Sequence, residues 1–309
     1  MERMFRNDFN EPMVDSSIAM SVEDRRALNQ MKDSVEIVYG HYQLGLPLKN
    51  NFVSPPNNRE FAVTKLNHLK KRFQRDPNLF EKYKETTNVY VSSGYARLVP
   101  HGELEVDEDT PVWFLPHHPV FHPQKLGRVR VVFDCAAKYK GISLNDQLLQ
   151  GPDLTNGFVG VLTRFRQEPI VMVADLEGMF QQVRVAPRDC QALRFLWWPN
   201  SVLTEEPVDH QMQVHLFGAT SSPSCASFSL KRTASDNEGE FDPETIQTVN
   251  RNFYVEDCLK SVSTTEKAVR LSGQLRELLL RGGFRLTKWL SNDRNVIATI
   301  PVTESTISC

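Results

Sequence analysis

The chain has 309 residues, 36 Lys+Arg against 38 Asp+Glu, 40% apolar and 24% charged residues, and 5 Cys. That length allows about two domains at roughly 100–200 residues each, and the composition excludes wholesale disorder. A net charge of −2 excludes a uniformly basic nucleic-acid coat while leaving room for a local basic channel.

Residues 1–15 are polar and read as a loose tail. A helix is expected from about Ser21, where Ser21-Val22-Glu23-Asp24 resembles a capping box with Asp in the Glu place. Residues 35–48 (VEIVYGHYQLGLPL) read as strand or extended chain, and Pro55-Pro56-Asn57-Asn58 as linker. Residues 60–87 show two helical runs divided at Asp76-Pro77, with Pro77 opening the second. An acidic loop, HGELEVDED, precedes residues 111–145, which carry five Lys/Arg and one acid, a local charge of +4. Here VWFLPHHPVF and RVRVVFD read as two strands joined by a turn over 123–127.

Residues 169–174 (PIVMVA) are apolar throughout, as in a strand buried on both faces. Residues 192–198 form another strand, with Trp197 or Trp198 in a core. Residues 211–216 (QMQVHL) alternate like a half-exposed strand. Residues 252–262 suggest a hairpin turning at Glu256-Asp257. Residues 264–281 form the clearest helix, capped by Thr264 or Thr265 and ended by Gly282-Gly283, before GFRLTKWL returns as a strand. The order indicates an α+β sheet with helices on one side.

No window of eighteen apolar residues and no secretory signal is visible, and the five scattered cysteines suggest free thiols. A soluble, intracellular, cytoplasmic protein with no membrane contact is expected. His117, His118 and His122 lack a Cys/His partner set, and Pro119 and Pro123 break their local geometry, so they do not read as a zinc site.

Three acids stand out. Asp175 follows an apolar strand, and Glu256-Asp257 sit at the tip of an apolar hairpin. If these elements share a sheet, the carboxylates converge, and such groups repel unless protonated or bridged by cations such as Mg²⁺. The plain alternative is a helix cap and an ordinary turn.

Six blocks widen the reading: FLPHHPVFHP (114–123), VRVVFDCAAKYKGISLND (129–146), VADLEGMFQQVRV (173–185), FGATSSP (217–223), FYVEDCL (253–259) and GGFRLTKW (282–289). In residues and in order they resemble the reverse transcriptase region of BEL/Pao-type LTR retrotransposon polyproteins, from about residue 20 onward. The resemblance implies a right-hand polymerase with fingers and a ferredoxin-like palm. It implies an N-terminal tail, helix and connecting strand over 1–52, fingers over 53–165 and a palm over 166–301. Residues 188–222 would return to the fingers, and 302–309 would form a short tail with the thumb absent. The implied reaction joins a dNTP to a primer on an RNA or DNA template with two Mg²⁺ ions, Mn²⁺ substituting.

By the same resemblance, Asp175, Glu256 and Asp257 are the catalytic metal ligands, and Leu176 adds its backbone carbonyl. Arg130 pairs with the incoming triphosphate, as a guanidinium suits phosphate. Lys125 is a second candidate for that contact, with a solvated turn lysine as the alternative. Phe180 lies under the nucleotide sugar, Gly218 lets the backbone approach substrate, and Lys288 assists the leaving pyrophosphate or forms a surface salt bridge.

One departure bears on activity. Tyr254-Val255-Glu256-Asp257 stands where the family carries Tyr-x-Asp-Asp. The extra methylene of Glu256 displaces its oxygens by about 1 Å, and a misplacement of that size costs about a hundredfold in rate. A weak or inactive polymerase is expected, with a non-catalytic nucleic-acid-binding remnant as the alternative.

Overall fold

The computed structural model describes residues 20–49, 57–107, 110–121 and 129–306. Helix α1 (Val22–Ser34) begins at a full capping box: the Asp24 N–H donates to Ser21 Oγ at 3.0 Å and the Ser21 N–H to Asp24 Oδ2 at 3.3 Å. The next segment is a hairpin of β1 (Glu36–Val38) and β2 (His41–Leu44), not one extended run. Tyr39 and Gly40, both at positive φ, make its two-residue turn. Helices α2 (Arg59–Arg75) and α3 (Pro77–Ser92) meet at Asp76, whose carboxylate accepts the Leu79 N–H at 3.0 Å.

Strand β3 (Ala96–Leu98) follows, then an antiparallel ribbon of β4 (His117–Phe121) and β5 (Val129–Phe133). The short α4 (Leu144–Gln147) and α5 (Phe158–Phe165) lead to β6 (Ile170–Leu176). After β7 (Arg184–Val185), β8 (Arg194–Trp197) and β9 (Val208–Met212) come α6 (Ser222–Asp236) and α7 (Pro243–Arg251). The chain closes with β10 (Phe253–Tyr254), β11 (Asp257–Val262), α8 (Thr265–Leu280), β12 (Leu286–Ser291) and α9 (Arg294–Ala298). The fold is mixed α+β with small sheets.

The largest sheet has the order β10-β11-β6-β12, all neighbours antiparallel. Met172, Ala174 and Leu176 of β6 face a core built with Ala226 and Leu230 of α6 and Leu271, Leu275 and Leu278 of α8. Val171, Val173 and Asp175 lie on the other, half-buried face. The strand expected to be buried on both faces is covered on one, because both helices pack on the same side of an antiparallel sheet.

A second core surrounds the β3-β9-β8 sheet, with Phe73, Tyr83, Phe195, Trp197 and Trp198 all buried. The chain leaves the first core after Val183 and returns to it at Cys225; Val185 to Ala219 pack in the second. Strand β9 departs from the half-exposed expectation, with Asp209, His210, Gln211 and Met212 all buried. Its polar side closes into a network in which Arg194 donates to Gln191 Oε1 at 2.7 Å and the Glu103 carbonyl at 2.8 Å, and lies 3.5 Å from Asp209. His117 is a packing residue: it pairs with the Tyr83 hydroxyl and the Leu196 carbonyl, and burial pushes its pKa down to about 4. Among the described residues no helix is long and apolar enough to cross a membrane, and Cys135, Cys190, Cys225 and Cys258 are buried free thiols.

Leu275 is fully buried at the centre of the first core. Leu275→Ala is expected to remove about 2–5 kcal/mol of stability, read as a lower urea midpoint.

Candidate active site at the end of the central strands

Strands β10 and β11 pair Phe253 with Cys258 and Tyr254 with Asp257, so the hairpin turns at Val255-Glu256. This is one residue earlier than the sequence suggests, because Asp257 is drawn into the ladder. Val255 has φ +54° while Glu256 stays at negative φ, the sign pattern of a type II′ turn. A β-branched residue in that region costs about 1–3 kcal/mol unless its surroundings fix it. The surroundings do: the Leu176 N–H donates to the Glu256 carbonyl at 2.9 Å, and the Asn252 side-chain amide donates to the Leu259 carbonyl at 3.0 Å.

Asp175 and Asp257 are direct partners across β6 and β11. Such partners share a face with Cβ atoms about 5 Å apart. Glu256 adjoins them in the turn. Burial, then the charges of Asp175 and Asp257, raise the Glu256 carboxyl above its ordinary range, while Lys288 and Arg130 oppose the rise. Asp257 is raised by burial and by Asp175, with Lys288 opposing.

Lys288 sits at φ +53° in a bulge, where the β12–β6 register slips between Thr287 and Leu290. Its Nζ lies 2.7 Å from Asp175 Oδ1. The bulge re-aims a side chain toward the acids. Among the described residues no three His, Cys, Asp or Glu side chains close into a cation cage. The Lys288 ammonium occupies one side of Asp175. The donors are oxygen-only, the type hard divalent ions prefer, and Glu256 and Asp257 are raised first by burial and then by neighbouring carboxylates.

The other sequence candidates fall around this edge. Leu176 buries its side chain in the first core and spends its N–H on Glu256. Phe180 follows Gly178, which is at φ +57°, in a 3₁₀ turn; it is 9% exposed, with its ring 4.5 Å from that of Phe217 in a T-shaped contact. Gly218 is at φ +106°, and a Cβ there would meet the Phe133 carbonyl oxygen at 2.6 Å. Arg130 is exposed on β5, opposite Val120, and its charge reaches Glu256. Lys125 lies outside the described residues.

Two residues escaped the sequence reading. Asn145 clamps the Gly218 turn, donating to the Gly218 carbonyl at 2.9 Å and accepting the Thr220 N–H at 3.0 Å. Phe217, half-exposed, covers Phe180. An aromatic side chain next to a turn glycine was the available signal for Phe217. Asn145 gave none, since its partner lies 73 residues away.

No protein-family profile and no curated protein sequence matches this chain. Among solved structures it is similar to a foamy viral protease-reverse transcriptase in complex with double-stranded DNA, at 16% identity and a TM-score of 0.46. That alignment covers 64% of this chain and 28% of the other, so the chain spans well under a third of that structure's length.

Two outcomes follow from the site's geometry. The native state holds protons on Glu256 and Asp257 to higher pH than the unfolded chain, so their contribution to stability falls as pH rises through that window. Asp257→Asn is therefore expected to raise the melting temperature at pH 7 and to lose that advantage near pH 4, in thermal melts across pH. Gly218→Ala is expected to cost about 1–3 kcal/mol from backbone strain alone, measured by urea unfolding.

Proposed function

We propose that this chain is a reverse-transcriptase-like nucleotidyltransferase, an RNA-directed DNA polymerase region of the BEL/Pao retrotransposon type. The observation that carries the reading is the opposition of Asp175 and Asp257 on neighbouring strands, with Glu256 in the adjoining turn. The sheet supports it: β6, then helices, the β10–β11 hairpin, α8 and β12 follow the split βαβ, ferredoxin-like plan with the first strand central. In this reading residues 166–301 are the palm, and residues 53–165 and 188–222 the fingers.

The reaction would be attack of a primer 3′-hydroxyl on the α-phosphate of a dNTP, with pyrophosphate leaving. Asp175, Glu256, Asp257 and the Leu176 carbonyl would hold two Mg²⁺ ions, which supply charge neutralisation and Lewis-acid polarisation of the phosphates when bound. The chain's own residues do the positioning on which phosphoryl transfer depends. Arg130 would clamp the triphosphate. Phe180, backed by Phe217, would fill the space a ribose 2′-hydroxyl needs. Gly218 would give backbone access, and Lys288, paired with Asp175, would face the departing pyrophosphate.

A second reading, a non-catalytic nucleic-acid-binding remnant, draws on one observation: Lys288 already neutralises Asp175. Primer extension on poly(rA)·oligo(dT) with Mg²⁺ separates the two. The polymerase reading expects weak, metal-dependent incorporation, loss of it in Asp175→Asn, and a gain approaching a hundredfold in Glu256→Asp. No incorporation by either the parent chain or Glu256→Asp, with template-primer still bound, supports the second reading.

A further inference from the structure

The second core borders a hollow that plays no part in the polymerase reading. A cavity of about 520 Å³ opens between the start of α2 and the loop that follows β3; its lining includes Arg59, Leu104, Val112, Phe114, Arg194 and Asp209. That volume lies within the range of small-molecule pockets, about 300–1,000 Å³. Its charges come from three elements: Arg59 from α2, Arg194 from β8 and Asp209 from β9.

The floor holds one cation too many. Buried Asp209 accepts Arg59 Nε at 3.1 Å through Oδ1 and lies 3.5 Å from Arg194 Nη1 through Oδ2. Arg194 is itself buried, and its other hydrogen bonds go to Gln191 Oε1 and the carbonyls of Glu103 and Leu104, all neutral acceptors. Two guanidiniums therefore share a single carboxylate, where burial limits what solvent can offset. Arg194 is occupied by these partners. Arg59 is not: it engages Asp209 through Nε and Nη2, its side chain is 43% exposed, and among the described residues its Nη1 makes no hydrogen bond.

The walls beside this charge are apolar. The Phe114 ring centroid lies 6.0 Å from the Arg59 guanidinium and 5.9 Å from that of Arg194. Val112 and the exposed side chain of Leu104 extend the same surface. An ion pair that only ties α2 to the sheet needs no apolar hollow beside it. Asp107, exposed on the rim, opposes an extended polyanion crossing the mouth, while solvent screens it from a single charge at the floor.

We propose that this cavity binds a small organic monoanion, a carboxylate on an apolar or aromatic body, with the carboxylate on Arg59 and the body against Phe114, Leu104 and Val112. A guanidinium suits a carboxylate by paired N–H donation, and the free edge of Arg59 supplies it. The site uses none of the three acids at the strand ends, so its occupation does not depend on the polymerase reading.

The test is saturation-transfer NMR on the 309-residue chain in EDTA, with benzoate as the probe and benzamide, its neutral counterpart of the same shape, as the control. Benzoate is expected to saturate at about millimolar concentration. Benzamide should bind at least about tenfold more weakly, having lost the charge-assisted pair. Arg59→Gln should bring benzoate down to the benzamide level and leave benzamide unchanged, and Arg59→Lys should keep most of the preference. Leu104→Trp, which fills the cavity from a wall position outside the core and leaves the Arg59–Asp209 pair in place, should abolish binding of both. Thermal melts show whether each variant folds; if Arg59→Gln does not, the benzoate–benzamide ratio on the parent tests the charge and Leu104→Trp tests the place. Equal binding of benzoate and benzamide overturns the proposal, as does benzoate binding unchanged by either substitution. So does the lack of saturable benzoate binding up to about 10 mM.

Discussion

Electrostatic crowding at one end of the β6–β11 ladder governs the arrangement of the rest. A direct cross-strand Asp–Asp pair is unfavourable, since like charges opposite one another destabilise a sheet. Here the pair is Asp175 and Asp257, and Glu256 adds a third carboxylate in the adjoining turn. Burial disfavours the charged form and the neighbouring carboxylates add to it, so both Glu256 and Asp257 keep their protons more firmly than free carboxyls. A sheet selected for stability alone would place Thr or Val at these ends.

Local structure is bent to preserve that crowding. Val255 accepts a left-handed backbone so that the turn closes in two residues, and the Leu176 N–H fastens the turn to β6. Lys288 takes a second left-handed position in a bulge and delivers its ammonium to Asp175. Strained residues at positive φ cluster where their surroundings over-determine them. Both lie beside the same three acids. The Lys288 ammonium offsets part of the negative charge at this edge and opposes the rise of Glu256 and Asp257.

Much of this was legible in the sequence, for physical reasons particular to each element. Caps were readable because they are local: Ser21 and Thr264 each accept a backbone N–H three residues on, and Pro77 opens its helix. The long helix and the apolar central strand announced themselves by period and composition. Features set by distant partners were less readable. The hairpin turn slipped by one residue because Asp257 pairs with Asp175 across the sheet, and β9 is buried because Arg194 and Asp209 close a polar network over it. The convergence of Asp175 with Glu256 and Asp257 required a topology, and that came from the resemblance of six blocks, not from spacing. Asn145 could not be found, because its role exists only once the Gly218 turn has folded against it.

In the proposed polymerase reading, Asp175, Glu256 and Asp257 would share divalent ions at this edge of the sheet. Isothermal titration of Mn²⁺ into the 309-residue chain tests it most directly, without reference to nucleotides or templates. The account predicts saturable binding to the parent protein, weakened at least tenfold by Asp175→Asn and, separately, by Asp257→Asn. Equal affinity in the parent and both variants, or no binding to the parent at millimolar Mn²⁺, would contradict it.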